Sequence, residues 1–220
     1  MRLFSGWVAV CGTALVLAFS ASVVVAAPTV YIVSLNTSAL VGQGTFNLDL
    51  QFNDGSGTAD GNNSLTLNSF LFGGGSASGA PTLAGGASGT VGTSVSLTDS
   101  AFFNEFLQAF IAGSSLSFQL TLNSNLIDAG PTPDLFTLAI LDSSFVGLPT
   151  LGPLGEFISI TLDGRPTVAV YGTAANSPYA IGAPSVTGVS GVAVPEPSAL
   201  WLAVIGLAGL VAPRTRRALA

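Results

Sequence analysis

Apolar and polar residues alternate with period two in several separate stretches of this chain. In Thr45 to Phe52 the residues Phe46, Leu48, Leu50 and Phe52 fall on one side, with Asn47, Asp49 and Gln51 on the other. That is the pattern of a strand with one buried face. Ser115 to Leu122 repeats it through Leu116, Phe118, Leu120 and Leu122, and Phe136, Leu138 and Ile140 do so again. Ile158, Ile160 and Leu162 form a further run, after which Asp163-Gly164 supplies the positive-φ pair of a tight hairpin into Val168 and Val170. Leu65 and Leu67 are out of phase with Phe70 and Phe72, which predicts a bulge near Ser69 or a strand that changes sheets. Val30 to Val33 is continuously apolar and reads as a first strand covered on both faces.

One segment follows a different period. Between Ala101 and Ala112 the residues Phe102, Phe103, Phe106, Leu107 and Phe110 recur at threes and fours, with Asn104, Glu105 and Gln108 opposite them. This predicts a short amphipathic helix, started by Asp99 or Ser100 and ended by Gly113, that plugs one end of the body. The Gly- and Ser-rich stretch from Gly73 to Gly92 shows neither period and reads as surface loop. Asn176 to Val194, with Pro178, Pro184 and several glycines, reads as a linker. The sum is an all-β, antiparallel β-sandwich, jelly-roll-like, of about eight or nine strands. One amphipathic helix and an apolar helix at each end complete the expected inventory.

The ends are of a different kind. Arg2 precedes an apolar stretch from Trp7 to about Val25, closed by Ala26 and Ala27 before Pro28. A positive start, an apolar middle and a small-residue exit make a signal peptide, cut by signal peptidase after Ala26; a retained anchor is the other reading of the same hydrophobicity. The expected organisation is therefore a leader over 1–26, a sandwich over 27–175, a linker over 176–193 and a C-terminal signal over 194–220. In that last segment Val194-Pro195-Glu196-Pro197 precedes an apolar run from Ala199 to Ala212, followed by Arg214, Arg216 and Arg217. The run is short for a hydrocarbon core of ~30 Å, so it holds the chain in the inner membrane only transiently. The arginines keep that end cytoplasmic, which leaves the body on the far side.

Val-Pro-Glu-Pro, an apolar helix and a terminal arginine cluster, in that order, resemble the PEP-CTERM sorting signal of Gram-negative bacteria. The resemblance implies export, removal of the tail near Pro195-Glu196-Pro197 by an exosortase, and delivery to the cell surface or medium of bacteria that make exopolysaccharide. Gln51 to Asn63, Gly73-Gly74-Gly75, Pro131 to Asp134 and Ile140 to Ser144 are similar to a body domain that recurs among PEP-CTERM proteins. That second likeness implies a β-rich architecture and no particular chemistry.

Composition narrows the function. Only 7% of residues are charged, with no His, and the five cations are Arg2, Arg165, Arg214, Arg216 and Arg217. Ten of the eleven acids lie between Asp49 and Asp163, so the body is acidic and repels the phosphate backbone of nucleic acids. The one cysteine, Cys11, lies in the leader, which leaves the body without a thiol nucleophile, disulfide or thiolate ligand. Lacking His, Cys and Lys, the body has no Ser-His, Cys-His or Lys-based nucleophile either.

The favoured expectation is a non-catalytic structural or exopolysaccharide-binding surface protein, with Tyr31, Tyr171 or Tyr179 as stacking residues. The alternative is a polysaccharide-modifying hydrolase using paired carboxylates, for which Glu105 and Glu156 are the body's only glutamates. No motif calls for a cofactor. Asp54, Asp60, Asn62 and Asn63 crowd one glycine-rich loop, and calcium takes its six to eight oxygens from such loops. The plainer reading is that Asp, Asn and Gly make turns.

Overall fold

A computed structural model describes residues 28–55, 59–124, 132–163 and 165–189, with the side chains at 163 and 165 excluded. The expected leader, the C-terminal signal and both apolar end helices lie outside the described residues. Among the described residues no helix is long and apolar enough to cross a membrane.

The described chain is all β apart from one 3₁₀ turn at Ser38–Leu40. Its strands are β1 (Thr29–Asn36), β2 (Thr45–Asn53), β3 (Asn63–Leu71), β4 (Ser76–Ala77), β5 (Thr82–Ala84), β6 (Ser88–Gly89), β7 (Ser94–Thr98), β8 (Phe103–Ile111), β9 (Ser115–Ser124), β10 (Asp134–Leu141), β11 (Ile158–Asp163), β12 (Arg165–Val170) and β13 (Ser185–Val189). They form two antiparallel sheets, ordered β13-β1-β9-β3-β7-β6 and β12-β11-β10-β2-β8-β4, with β5 also on β8. The pairings are nested. β1 pairs β9, β2 pairs β8 and β3 pairs β7, so the chain from β1 to β9 folds back on itself across both sheets.

Period two explains most of this. Phe46, Leu48, Leu50 and Phe52 of β2 are buried in one hydrophobic cluster with Leu116, Phe118, Leu120 and Leu122 of β9, Phe136, Leu138 and Ile140 of β10, and Ile158 and Ile160 of β11. Each such side chain contributes about 1.5–3 kcal/mol on leaving water. Because the cluster draws on both sheets, the two apolar faces share one core. β11 and β12 run antiparallel from Ile158 opposite Val170 to Leu162 opposite Pro166, so the expected hairpin pairing is present, while Gly164 of the expected Asp163-Gly164 turn lies outside the described residues. The bulge is also present: Ser69 has φ 56°, and the register between β3 and β9 shifts between Asn68 and Leu71.

Three expectations are corrected. The amphipathic helix is strand β8, paired along its whole length with β2 from Thr45 opposite Ile111 to Asn53 opposite Phe103. Its buried side carries Asn104, Phe106, Gln108 and Phe110, so two of its four inward residues are polar. These amides bind backbone. Asn104 donates through Nδ2 to the carbonyls of Phe52 (2.8 Å) and Ala101 (2.6 Å) and accepts from the Gly86 N–H (2.7 Å). Gln108 donates to the Gly79 carbonyl (2.9 Å) and accepts from the Val91 N–H (3.0 Å). Satisfied in this way, a buried amide is tolerated, and the apolar alternation of a strand is masked.

β1, secondly, is covered on one face only: Val33 and Leu35 are buried, whereas Ile32 is exposed. Thirdly, the stretch expected as linker continues the body, with Ile181 in the core and β13 pairing β1 from Val30 opposite Val189 to Ser34 opposite Ser185.

Candidate functional site

One end of the molecule gathers acidic and amide side chains from both sheets. Asp54 follows β2 and Asp134 begins β10, neighbours in one sheet through the Asn53–Leu135 register. Asn63 begins β3 and Asp99 follows β7, neighbours in the other through Ser64–Thr98. All four side chains are buried. The Asn63 amide Nδ2 donates to Asp134 Oδ2 at 2.8 Å, a hydrogen bond that joins the two sheets, and also to Asn62 Oδ1. The Asn63 backbone N–H donates to Asp99 Oδ2 at 2.9 Å, and the Gly55 N–H donates to Asp134 Oδ1 at 3.0 Å. Two oxygens are left over: Asp99 Oδ1 and Asn63 Oδ1 are buried with no hydrogen-bond partner. Burial pushes the Asp99 carboxyl up to about 6; the Asn63 N–H opposes this, and the charges of Asp134 and Asp60 add to it.

Of the four loop residues expected to bind a cation, the structure spends most of the oxygens on turns. Asp60 accepts from the Asn62 N–H (3.3 Å) and from Asn62 Nδ2 (2.8 Å), an Asx arrangement, and Asp54 Oδ2 accepts from the Ala59 N–H. Among the described residues no three His, Cys, Asp or Glu side chains converge to hold a metal. Asp99 and Asp134, which sequence reasoning left out, are the acids that meet Asn63. Asp99 carried a signal, since an Asp just after an alternating run was available, but it was assigned to a helix cap.

Beside this cluster lies an open groove of about 530 Å³ lined by Asn53, Asp54, Phe102, Thr132, Pro133 and Leu135. Phe102 is 65% exposed, an aromatic ring left in solvent at the rim of a mainly apolar groove. The tyrosines do not gather here. Tyr31 is buried in the core and Tyr179 packs edge-on against Phe46 at 5.5 Å between ring centroids, which leaves only Tyr171 of the three outside the core cluster.

The two glutamates are kept apart. Glu105 sits on β8, and Glu156 immediately precedes Phe157 and β11; β2 and β10 lie between those strands. Three strand spacings are about 14 Å, beyond the roughly 5–10 Å of a glycosidase pair. Glu156 is buried and accepts from the Leu154 N–H at 2.7 Å. Glu105 instead neighbours Asp49 across the β2–β8 ladder, where Gln51 faces Glu105 and Asp49 faces Leu107. Burial pushes Asp49 up to about 6, with the Gln51 hydrogen bond (2.8 Å) opposing and the Glu105 charge adding.

Residues 193–217 match the family model of the PEP-CTERM protein-sorting motif. The chain carries a PEP-CTERM sorting signal. Val194, Pro195, Glu196, Pro197, Arg214, Arg216 and Arg217 fall inside that match and outside the described structure. A PEP-CTERM signal marks an exported, surface-directed protein processed by an exosortase. No curated protein and no solved structure matches the chain.

Proposed function

We propose that this PEP-CTERM protein is a non-catalytic component of the cell surface or extracellular matrix, whose body binds exopolysaccharide in the groove beside Phe102. The nested pairing of β1 to β9 supports the jelly-roll reading of the sandwich, an architecture used by lectins among others. Architecture alone does not assign the role. The observation that carries the reading is Phe102: a solvated aromatic face offers apolar stacking area to the C–H face of a pyranose, and Asn53 and Thr132 supply hydrogen bonds at the rim. Weak contacts repeated along a polymer add through effective concentration, so a shallow groove suffices.

The test is affinity electrophoresis of the purified protein through gels containing exopolysaccharide from the producing bacterium. Retardation of the wild type that Phe102→Ala abolishes, with the far-UV circular dichroism unchanged, supports the reading. Equal mobility of wild type and variant sinks it.

The neighbouring carboxylates of Asp49 and Glu105 favour a second reading, hydrolysis of polysaccharide. They are diagonal neighbours on adjacent strands, near enough for the Glu105 charge to act on Asp49, and a glycosidase pair needs carboxyl groups about 5–10 Å apart. Release of reducing ends that Asp49→Asn and Glu105→Gln each abolish would support it.

A further inference from the structure

The two partnerless oxygens at the acidic end need a positive partner. Asp99 and Asn63 are 0% and 6% exposed, so bulk water does not reach Asp99 Oδ1 or Asn63 Oδ1, and leaving buried acceptors unpaired is costly. The groups around them are acceptors too. Asp134 is held by Asn63 Nδ2 and the Gly55 N–H, and Asp54 and Asp60 are engaged by the loop's own N–H groups. The chain contains no Lys or His, and no described side chain here is an arginine. Three occupants can satisfy a pair of inward oxygens: a proton, a water or a cation. A water brings two donors but leaves the concentration of negative charge uncompensated; a single proton compensates only one carboxylate. A divalent cation answers both needs.

We propose that Asp99, Asn63 and Asp134 form a calcium site that ties the two sheets together at this end of the sandwich. The donors are two carboxylates and an amide oxygen, all hard, with waters completing the coordination. Calcium rather than magnesium suits them, because strand and loop ends give a loose geometry and magnesium demands a near-ideal octahedron. With Asn63 and Asp99 in one sheet and Asp134 in the other, the ion reinforces the Asn63–Asp134 hydrogen bond as a clasp between layers. The site shares Asn63 with the loop constellation of Asp54, Asp60, Asn62 and Asn63 but takes its carboxylates from Asp99 and Asp134, whereas Asp54 and Asp60 accept hydrogen bonds from their own loop, and it does not depend on saccharide binding.

The experiment is calorimetric titration of the full chain, purified in mild detergent and stripped with EDTA, with CaCl₂, alongside thermal melts with and without calcium. One calcium per chain is expected, with a Kd on the order of 10⁻⁴–10⁻³ M, the range of extracellular modules. At about 10 mM calcium the melting temperature then rises by several degrees. In Asp99→Asn the amide oxygen still accepts from the Asn63 N–H and a buried charge is removed, so the variant in EDTA melts at or above the wild type while its calcium affinity falls about tenfold or more. Absence of heat and of a thermal shift in the wild type overturns the proposal. So does an unchanged calcium response in Asp99→Asn, or an equal response to MgCl₂.

Discussion

Replacing Asn104 by Leu removes the amide that links β8 to its surroundings while keeping nearly the same volume. Three hydrogen bonds disappear: those to the Phe52 and Ala101 carbonyls and that from the Gly86 N–H. The Phe52 carbonyl is buried and bears the full desolvation cost of about 1–3 kcal/mol, whereas the two partly buried partners recover some hydration and cost about 0.5–1.5 kcal/mol each. The leucine gains about 1.5–3 kcal/mol if its new apolar surface is buried as fully as the amide was, but it faces polar backbone rather than carbon and realises only part of that. The balance is a loss of about 1–4 kcal/mol, a large share of a domain's 5–15 kcal/mol. Urea denaturation followed by far-UV circular dichroism measures it, at unchanged m-value. A helix with Asn104 on its outer face would tolerate the change within about 0.5 kcal/mol. A ΔΔG in that band, or a gain, refutes both the strand assignment and the role of the amide.

Asp49 gives a pH dependence. Its folded carboxyl is raised from 3.8 to about 6, so its stabilising contribution is complete below pH 3.8 and is lost as pH rises through 6. The loss reaches about 3 kcal/mol by pH 7; urea midpoints compared at pH 4.5 and pH 7.5 should fall for the wild type relative to Asp49→Asn, and parallel midpoints would contradict the assignment. A Cβ at Gly113 would stand 2.0 Å from the Phe72 carbonyl oxygen, so Gly113→Ala forces two loop backbones apart and lowers the melting temperature by about 5 °C or more; an unchanged melt would show that the loops yield. Ser69 holds φ 56° at the bulge, and Ser69→Gly relieves about 1 kcal/mol of left-handed strain, whereas Ser69→Val should destabilise, both read from urea midpoints; a stabilising valine would mean the bulge is absent.

What could be read from the sequence follows from how evenly each strand is patterned. β2, β9, β10 and β11 were legible because every core-facing residue in their alternating runs is apolar. β8 was not, because Asn104 and Gln108 stand on its core side and the phenylalanines at 102, 103, 106 and 110 fit a helical stripe equally well. Only the fold reveals that the inward amides are satisfied by the backbone of the loops packed over them. β4, β5 and β6 are two or three residues long inside a Gly- and Ser-rich stretch, too brief to show a period. β13, with four of its five residues exposed, has no buried face to announce it; its place is set by pairing with β1.

The acidic end was half legible. Local crowding singled out Asp54 to Asn63, but Asp99 and Asp134 lie 36 and 71 residues from Asn63 along the chain and join it only through the folding of both sheets. The sorting signal, by contrast, is a linear message: motif, apolar run and basic end in fixed order, which is why it could be recognised without any fold.

The most direct test of the account is the intact mass of the protein recovered from the cell surface and the culture medium of the producing bacterium. A mature species lacking residues 1–26 and cut near Pro195-Glu196-Pro197 is the predicted result. An uncut chain of full mass residing in the cytoplasm would contradict it.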